Sequence, residues 1–80
     1  MVTMAVGYVL LNVSPGSEHD VYLHLQKLDS VSDATVLFGA YDLIVKLVAP
    51  DLSSIAKAVV ESIRQINGVL DTKTLAGAEF

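Results

Sequence analysis

The stretch LQKLDSVSDATVLFG at residues 25–39 is answered by IRQINGVLDTKTLAG at residues 63–77, an offset of 38 positions without a gap. Leu25 and Leu28 align with Ile63 and Ile66, Val31 with Val69, Asp33 with Asp71, Leu37 with Leu75 and Gly39 with Gly77. Each copy reads as the last turn of an amphipathic helix, a turn, and a strand, because apolar spacing of three gives way to alternation. Two copies of a strand–helix–strand half imply the order β-α-β-β-α-β. That is the split βαβ arrangement of an α+β, ferredoxin-like fold: a four-stranded antiparallel sheet of order 4-1-3-2, with both helices on one face.

Working outward, Met4–Val13 (MAVGYVLLNV) is apolar on both alternating faces, as a strand covered on both sides would be. Ser14-Pro15-Gly16 ends it. Ser17 is the expected N-cap of the first helix, with Glu18 and Asp20 in the first turn, where the helix dipole favours anions. This helix should run to about Leu28, burying Val21, Leu25 and Leu28 and leaving Leu23 outside the core stripe. Val31–Phe38 is the second strand, with Ala34, Val36 and Phe38 alternating against Thr35 and Leu37. After the turn Gly39–Asp42, the third strand Leu43–Ala49 completes an antiparallel hairpin, apolar on both faces apart from Lys46. Asp51 should cap the second helix, whose stripe is Leu52, Ile55, Ala56, Val59, Ile63 and Ile66, with Lys57 and Glu61 paired on the outer side. Asn67-Gly68 supplies a left-handed stop. Val69–Ala76 is the fourth strand and Gly77–Phe80 a tail.

The 80 residues hold one domain, residues 1–80. A chain of this size buries only ~62% of its unfolded surface, yet 52% of its residues are hydrophobic and its mean hydropathy is +0.56. Two helices cover one face of the sheet, and the uncovered faces of strands one and three are not polar. An apolar sheet face of that kind predicts sheet-to-sheet dimers or higher assembly. The chain contains no cysteine, which excludes disulfides and thiolate metal sites. Five basic residues against nine acidic ones, unclustered, argue against a nucleic-acid surface. No apolar run approaches the ~18 residues of a membrane span. Met1-Val2-Thr3-Met4 lacks the basic start of a secretory leader, so a cytoplasmic location is expected.

Chemistry-bearing patterns are few. His19 and His24 diverge by about 140° on a helix and cannot chelate one ion together, whereas Asp20 and His24 share a face. No nucleophile motif and no phosphate-cradling glycine pattern occurs, so neither metal nor cofactor is expected and the chain does not read as an enzyme. Gly39-Ala40-Tyr41-Asp42 stands apart: a glycine, an amphipathic aromatic and a carboxylate meet at a hairpin end. Such a turn can be structural, with Gly39 at positive φ and Asp42 bonding backbone amides. That is the reading the turn favours when taken alone; the functional one is a site for a zwitterion, with free amides on the carboxylate and Asp42 on the ammonium. Thr72 and Thr74 share one face of the fourth strand and could add hydroxyls.

Three segments resemble a known family: Gly7-Tyr8-Val9-Leu10-Leu11-Asn12-Val13-Ser14-Pro15-Gly16, Gly39-Ala40-Tyr41-Asp42-Leu43-Ile44-Val45, and the run from Ile63 to Leu75 (IRQINGVLDTKTL). They are similar to the first strand and turn, the G-x-Y-D hairpin and the ending of the effector-binding (RAM) domain of Lrp/AsnC transcriptional regulators. The resemblance spans about residues 5–76. It implies a ferredoxin-like domain that dimerises through its sheets and assembles further, commonly into octamers or similar rings. It also implies free amino acids as effectors, bound between subunits near Gly39, Ala40, Tyr41 and Asp42, with Thr72 and Thr74 nearby. Full regulators place a helix-turn-helix domain ahead of this one. Here the first strand begins near Met1, so the chain resembles the stand-alone form without a DNA-binding module. Regulation would then proceed through assembly, including hetero-assembly with full-length Lrp/AsnC regulators. The competing expectation is a small dimeric α+β barrel enzyme, such as a cofactor-free oxygenase, for which the sheet faces offer only Tyr8, Asn12, Lys46 and the threonines.

Overall fold

The computed structural model describes residues Met4–Glu79, with side chains through Leu75. Met1–Thr3 and Phe80, which entered the reading of the two termini, lie outside the described residues. The elements are β1 (Ala5–Val13), α1 (Glu18–Gln26), β2 (Val31–Val36), β3 (Leu43–Ala49), α2 (Leu52–Ala58) and β4 (Val69–Glu79). The sheet order is β2-β3-β1-β4 with every pairing antiparallel, which is the expected 4-1-3-2 read from the other edge.

Pairing register divides the sheet into two faces. On the inner face Val9 lies opposite Val45 and Leu11 opposite Leu43, all fully buried, together with Leu47 and Ala5. Val21 and Leu25 of α1 and Ile55 of α2 close over them in one core. On the outer face Tyr8 lies opposite Lys46 and Leu10 opposite Ile44. Val6, Leu10, Ile44 and Val48 are only half-buried there, and Tyr8 is exposed. The strands thus carry apolar residues on a face that no helix covers.

The helix α2 lies close against β1. A Cβ added to Gly7 would stand 2.8 Å from Cγ2 of Ile55, so the lack of a side chain there is what lets the helix down onto the strand. Beyond Ala58 the helix continues as a single π-helical turn, Val59–Ile63, in which the Arg64 N–H donates to the Val59 carbonyl at 2.9 Å. Ile55, Val59 and Ile63 are buried, but Leu52 and Ala56 of the expected stripe are exposed. The second helix therefore ends at Ile63, and Ile66 already belongs to the turn.

Both copies of the repeat leave their helices in the same way. Leu28 N–H donates to Leu25 O and Val31 N–H to Leu28 O, each at 3.1 Å; Ile66 N–H donates to Ile63 O at 3.1 Å and Val69 N–H to Ile66 O at 3.2 Å. Leu25 and Ile63 are fully buried at the equivalent position.

Several local expectations change. Asp51 caps α2, accepting the Ser54 N–H on Oδ1 at 2.7 Å, but Ser17 makes no side-chain cap. Its hydroxyl is 2.9 Å from that of Ser14, a competing partner brought up by the preceding turn. α1 ends at Gln26, short of Leu28. β2 stops at Val36 because its partner β3 begins at Leu43, opposite Val36. Phe38, expected to alternate within that strand, is consequently fully exposed at 102%. β4 runs on to Glu79, so residues 77–79 continue the strand that was expected to end at Ala76.

Candidate ligand-binding site

Gly39–Asp42 joins β2 to β3 at the end of the sheet where β1 also finishes. Gly39 has φ +136, a conformation that side-chain-bearing residues rarely adopt, and the space where its Cβ would stand is open. Gly39 and Ala40 are exposed; Tyr41 and Asp42 are half-buried.

Asp42 is held at three points. Its N–H donates to Leu11 O at 2.8 Å and its carbonyl accepts the Leu37 N–H at 2.8 Å. Its carboxylate Oδ2 accepts the Val13 N–H at 2.9 Å. Val13 lies on β1, 29 residues away in sequence. The carboxylate thus ties the hairpin to the central strand, and Oδ1 enters no hydrogen bond found among the described residues. A bond from an amide to a charged acceptor contributes about 1.5–3 kcal/mol, enough to fix the direction of this side chain.

Thr72 and Thr74 occupy a different position. Thr72 is opposite Leu11 and Thr74 opposite Val9 on β4, so both belong to the inner face. β1 lies between them and the hairpin, putting Thr72 roughly two strand spacings, ~10 Å, from β3. Within one chain the structure gathers Gly39, Ala40, Tyr41 and Asp42 but not the two threonines. Hollows of about 310, 250 and 180 Å³ among the described residues are lined by residues other than Gly39–Asp42. Thr72 lines the smallest, with Arg64 and Asp71. The Val13 amide that holds the Asp42 carboxylate is a backbone group and has no residue signature in the sequence.

Asp20 and His24 line the 250 Å³ hollow together, in keeping with their shared helix face. No cluster of three or more histidine, aspartate or glutamate residues suited to a metal occurs among the described residues. No helix of the described residues is long and apolar enough to cross a membrane.

The split βαβ sheet, with its G-x-Y-D hairpin pinned to an inner strand, is of the α+β ferredoxin-like class. The family model of the Lrp/AsnC ligand binding domain matches residues 6–76, and the chain belongs to that family. No curated protein matches it. Among solved structures it is similar to FFRP-DM1, at 28% identity and TM-score 0.88, over 92% of this chain and 99% of that one. It is also similar to the hypothetical protein PHS023 from Pyrococcus horikoshii, at 28% identity and TM-score 0.86, over 92% and 89%. The transcriptional regulator NMB0573 of Neisseria meningitidis, solved as an L-Met complex, shares the fold at 13% identity and TM-score 0.81. That alignment covers 92% of this chain and 49% of the regulator, about half its length.

Proposed function

We propose that the protein is an amino-acid-binding regulatory domain rather than an enzyme. It works in the cytoplasm as a homo-oligomer, without binding DNA itself. The observation that carries this reading is Asp42. Its carboxylate is fixed by the Val13 amide while Gly39 and Ala40 beside it remain exposed, leaving Oδ1 available to an ammonium and nearby amides to a carboxylate. Membership of the ligand-binding family supports it, as does the L-Met bound by the Neisseria regulator.

Gly39 and Ala40 are exposed in one chain, and a second copy packed against this turn completes the site. The half-buried apolar outer sheet face is the surface on which two copies meet, and such dimers build an octamer or similar ring. In that assembly Thr72 and Thr74 approach a ligand from a neighbouring subunit. Because a bridging ligand favours the assembled state by mass action, effector binding changes assembly, including hetero-assembly with full-length Lrp/AsnC regulators.

The test combines thermal-shift measurements against the twenty amino acids with light scattering. At least one amino acid should raise the Tm at millimolar concentration and alter the assembly. Asp42→Asn, which can still accept the Val13 amide, should keep the fold and lose the shift. Asp42→Ala should lose the shift and also about 1–3 kcal/mol of stability from the unpaired amide. An Asp42→Asn variant that responds like the unsubstituted protein overturns the role assigned to the carboxylate.

A further inference from the structure

The two larger hollows are related by the internal repeat. The 250 Å³ hollow is lined by Asp20, His24 and Asn67; the 310 Å³ hollow by Ala58, Ser62 and Asp29, each the repeat counterpart of one of these, 38 residues away. The same fold position therefore occurs twice with different contents. Where α1 presents a carboxylate and an imidazole, α2 and its π-turn present a methyl and a hydroxymethyl. The small side chains leave the second copy roomier, with the half-buried Leu28 and Val31 at its wall.

Two more observations mark the larger hollow. Ser62 and Ile63 sit on the π-helical turn, a distortion that costs regular hydrogen bonding and recurs at functional sites. Lys27 and Asp29 both line it, and they are not paired with each other: the one ion pair among the described residues is Lys57–Glu61. Opposite charges stand apart on one hollow that also offers two serine hydroxyls and an aliphatic wall. A volume of about 310 Å³ matches the lower end of small-ligand pockets, ~300 Å³.

We propose that this hollow between the α1–β2 turn and the π-turn is a second ligand site, within a single chain, for a small zwitterion with an aliphatic tail. Lys27 takes the carboxylate, Asp29 the ammonium, and Leu28 and Val31 the tail. The site is distinct from Gly39–Asp42 and needs no second copy, so it does not rest on the reading above.

The experiment is an amide-resolved NMR titration of the whole chain with L-leucine, alongside L-leucinamide, which lacks the carboxylate, and 4-methylpentanoate, which lacks the ammonium. L-leucine should shift the amides of Ser30, Leu47 and Ser62. The two single-charge analogues, and the exposed variants Lys27→Gln and Asp29→Asn, should each bind at least about tenfold more weakly, as expected for one lost charge-assisted hydrogen bond. Ser62→Leu, which fills the hollow without changing charge, should remove those shifts. No shift at millimolar L-leucine, shifts confined to Gly39–Asp42, or equal binding of the analogues would each overturn the proposal; shifts confined to Gly39–Asp42 would leave the first site standing.

Discussion

Leu25–Val31 and Ile63–Val69 are one piece of backbone used twice, with the same pair of hydrogen bonds at the same offsets. Their surroundings differ. The first copy leads into a strand that ends early, at Val36, and a turn whose Asp42 is locked to β1. The second leads into β4, an edge strand of eleven residues. The helices that enter the two turns differ too, since α1 is regular to Gln26 whereas α2 ends in a π-turn. The turn and its buried anchor are what both halves need to fold, so they are alike. The groups on either side are free to differ, and the ligand chemistry proposed here lies among them.

The comparison is most exposed at its two anchors. Leu25→Ala and Ile63→Ala should each cost about 2–5 kcal/mol, in similar amounts, measured by chemical denaturation. A cost confined to one of them would show that the two halves are alike in shape but not in load. Gly7 tests the next level. Its repeat counterpart on β3 is Val45, so one half tolerates a β-branched side chain where the other has none. Gly7→Ala should cost about 1–3 kcal/mol through the clash with Ile55, and a neutral result would mean that α2 rides up without loss. The smallest effect separates the helix caps. Ser17→Ala, which gives up the hydroxyl contact with Ser14 but no cap bond, should cost about 0.5–1.5 kcal/mol. Asp51 differs because the Ser54 backbone N–H, helped by its hydroxyl, holds the carboxyl below its ordinary value of 3.8. A lowered folded-state pKa contributes stability that is complete above the ordinary value and lost as pH falls through the folded one. Thermal unfolding should therefore show an Asp51-dependent fall in Tm below about pH 3.8 that Asp51→Asn removes.

The topology was legible because the repeat and the doubly apolar strands β1 and β3 are global signals: residues 31 and 69 could only be strand starts once 25–28 and 63–66 were helix ends. Phe38 shows where such signals stop. Its alternation with Ala34 and Val36 is real, but a strand continues only while a partner accompanies it, and β3 begins at Leu43. Ser17 stands at the N-cap position as expected, but its side chain makes no cap bond, because the Ser14 hydroxyl that engages it arrives through a turn and not through the helix. The π-turn carries no propensity signature, since one inserted residue leaves composition unchanged. At the candidate site, Gly39's positive φ and Asp42's bond to a backbone amide follow from residue type, whereas the face on which Thr72 and Thr74 lie was set by the bulge between Asn12 and Val13.

The place of β1 in the sheet has a consequence for synthesis. The earliest of the sheet's four strands in sequence is an inner one, and its two neighbours, β3 and β4, begin only at Leu43 and Val69. Until Val69 and the residues after it emerge, one edge of β1 stays open, so the nascent domain carries an unsatisfied pairing edge while the intervening elements are made. Closure then comes from β4, the last of the sheet's four strands in sequence.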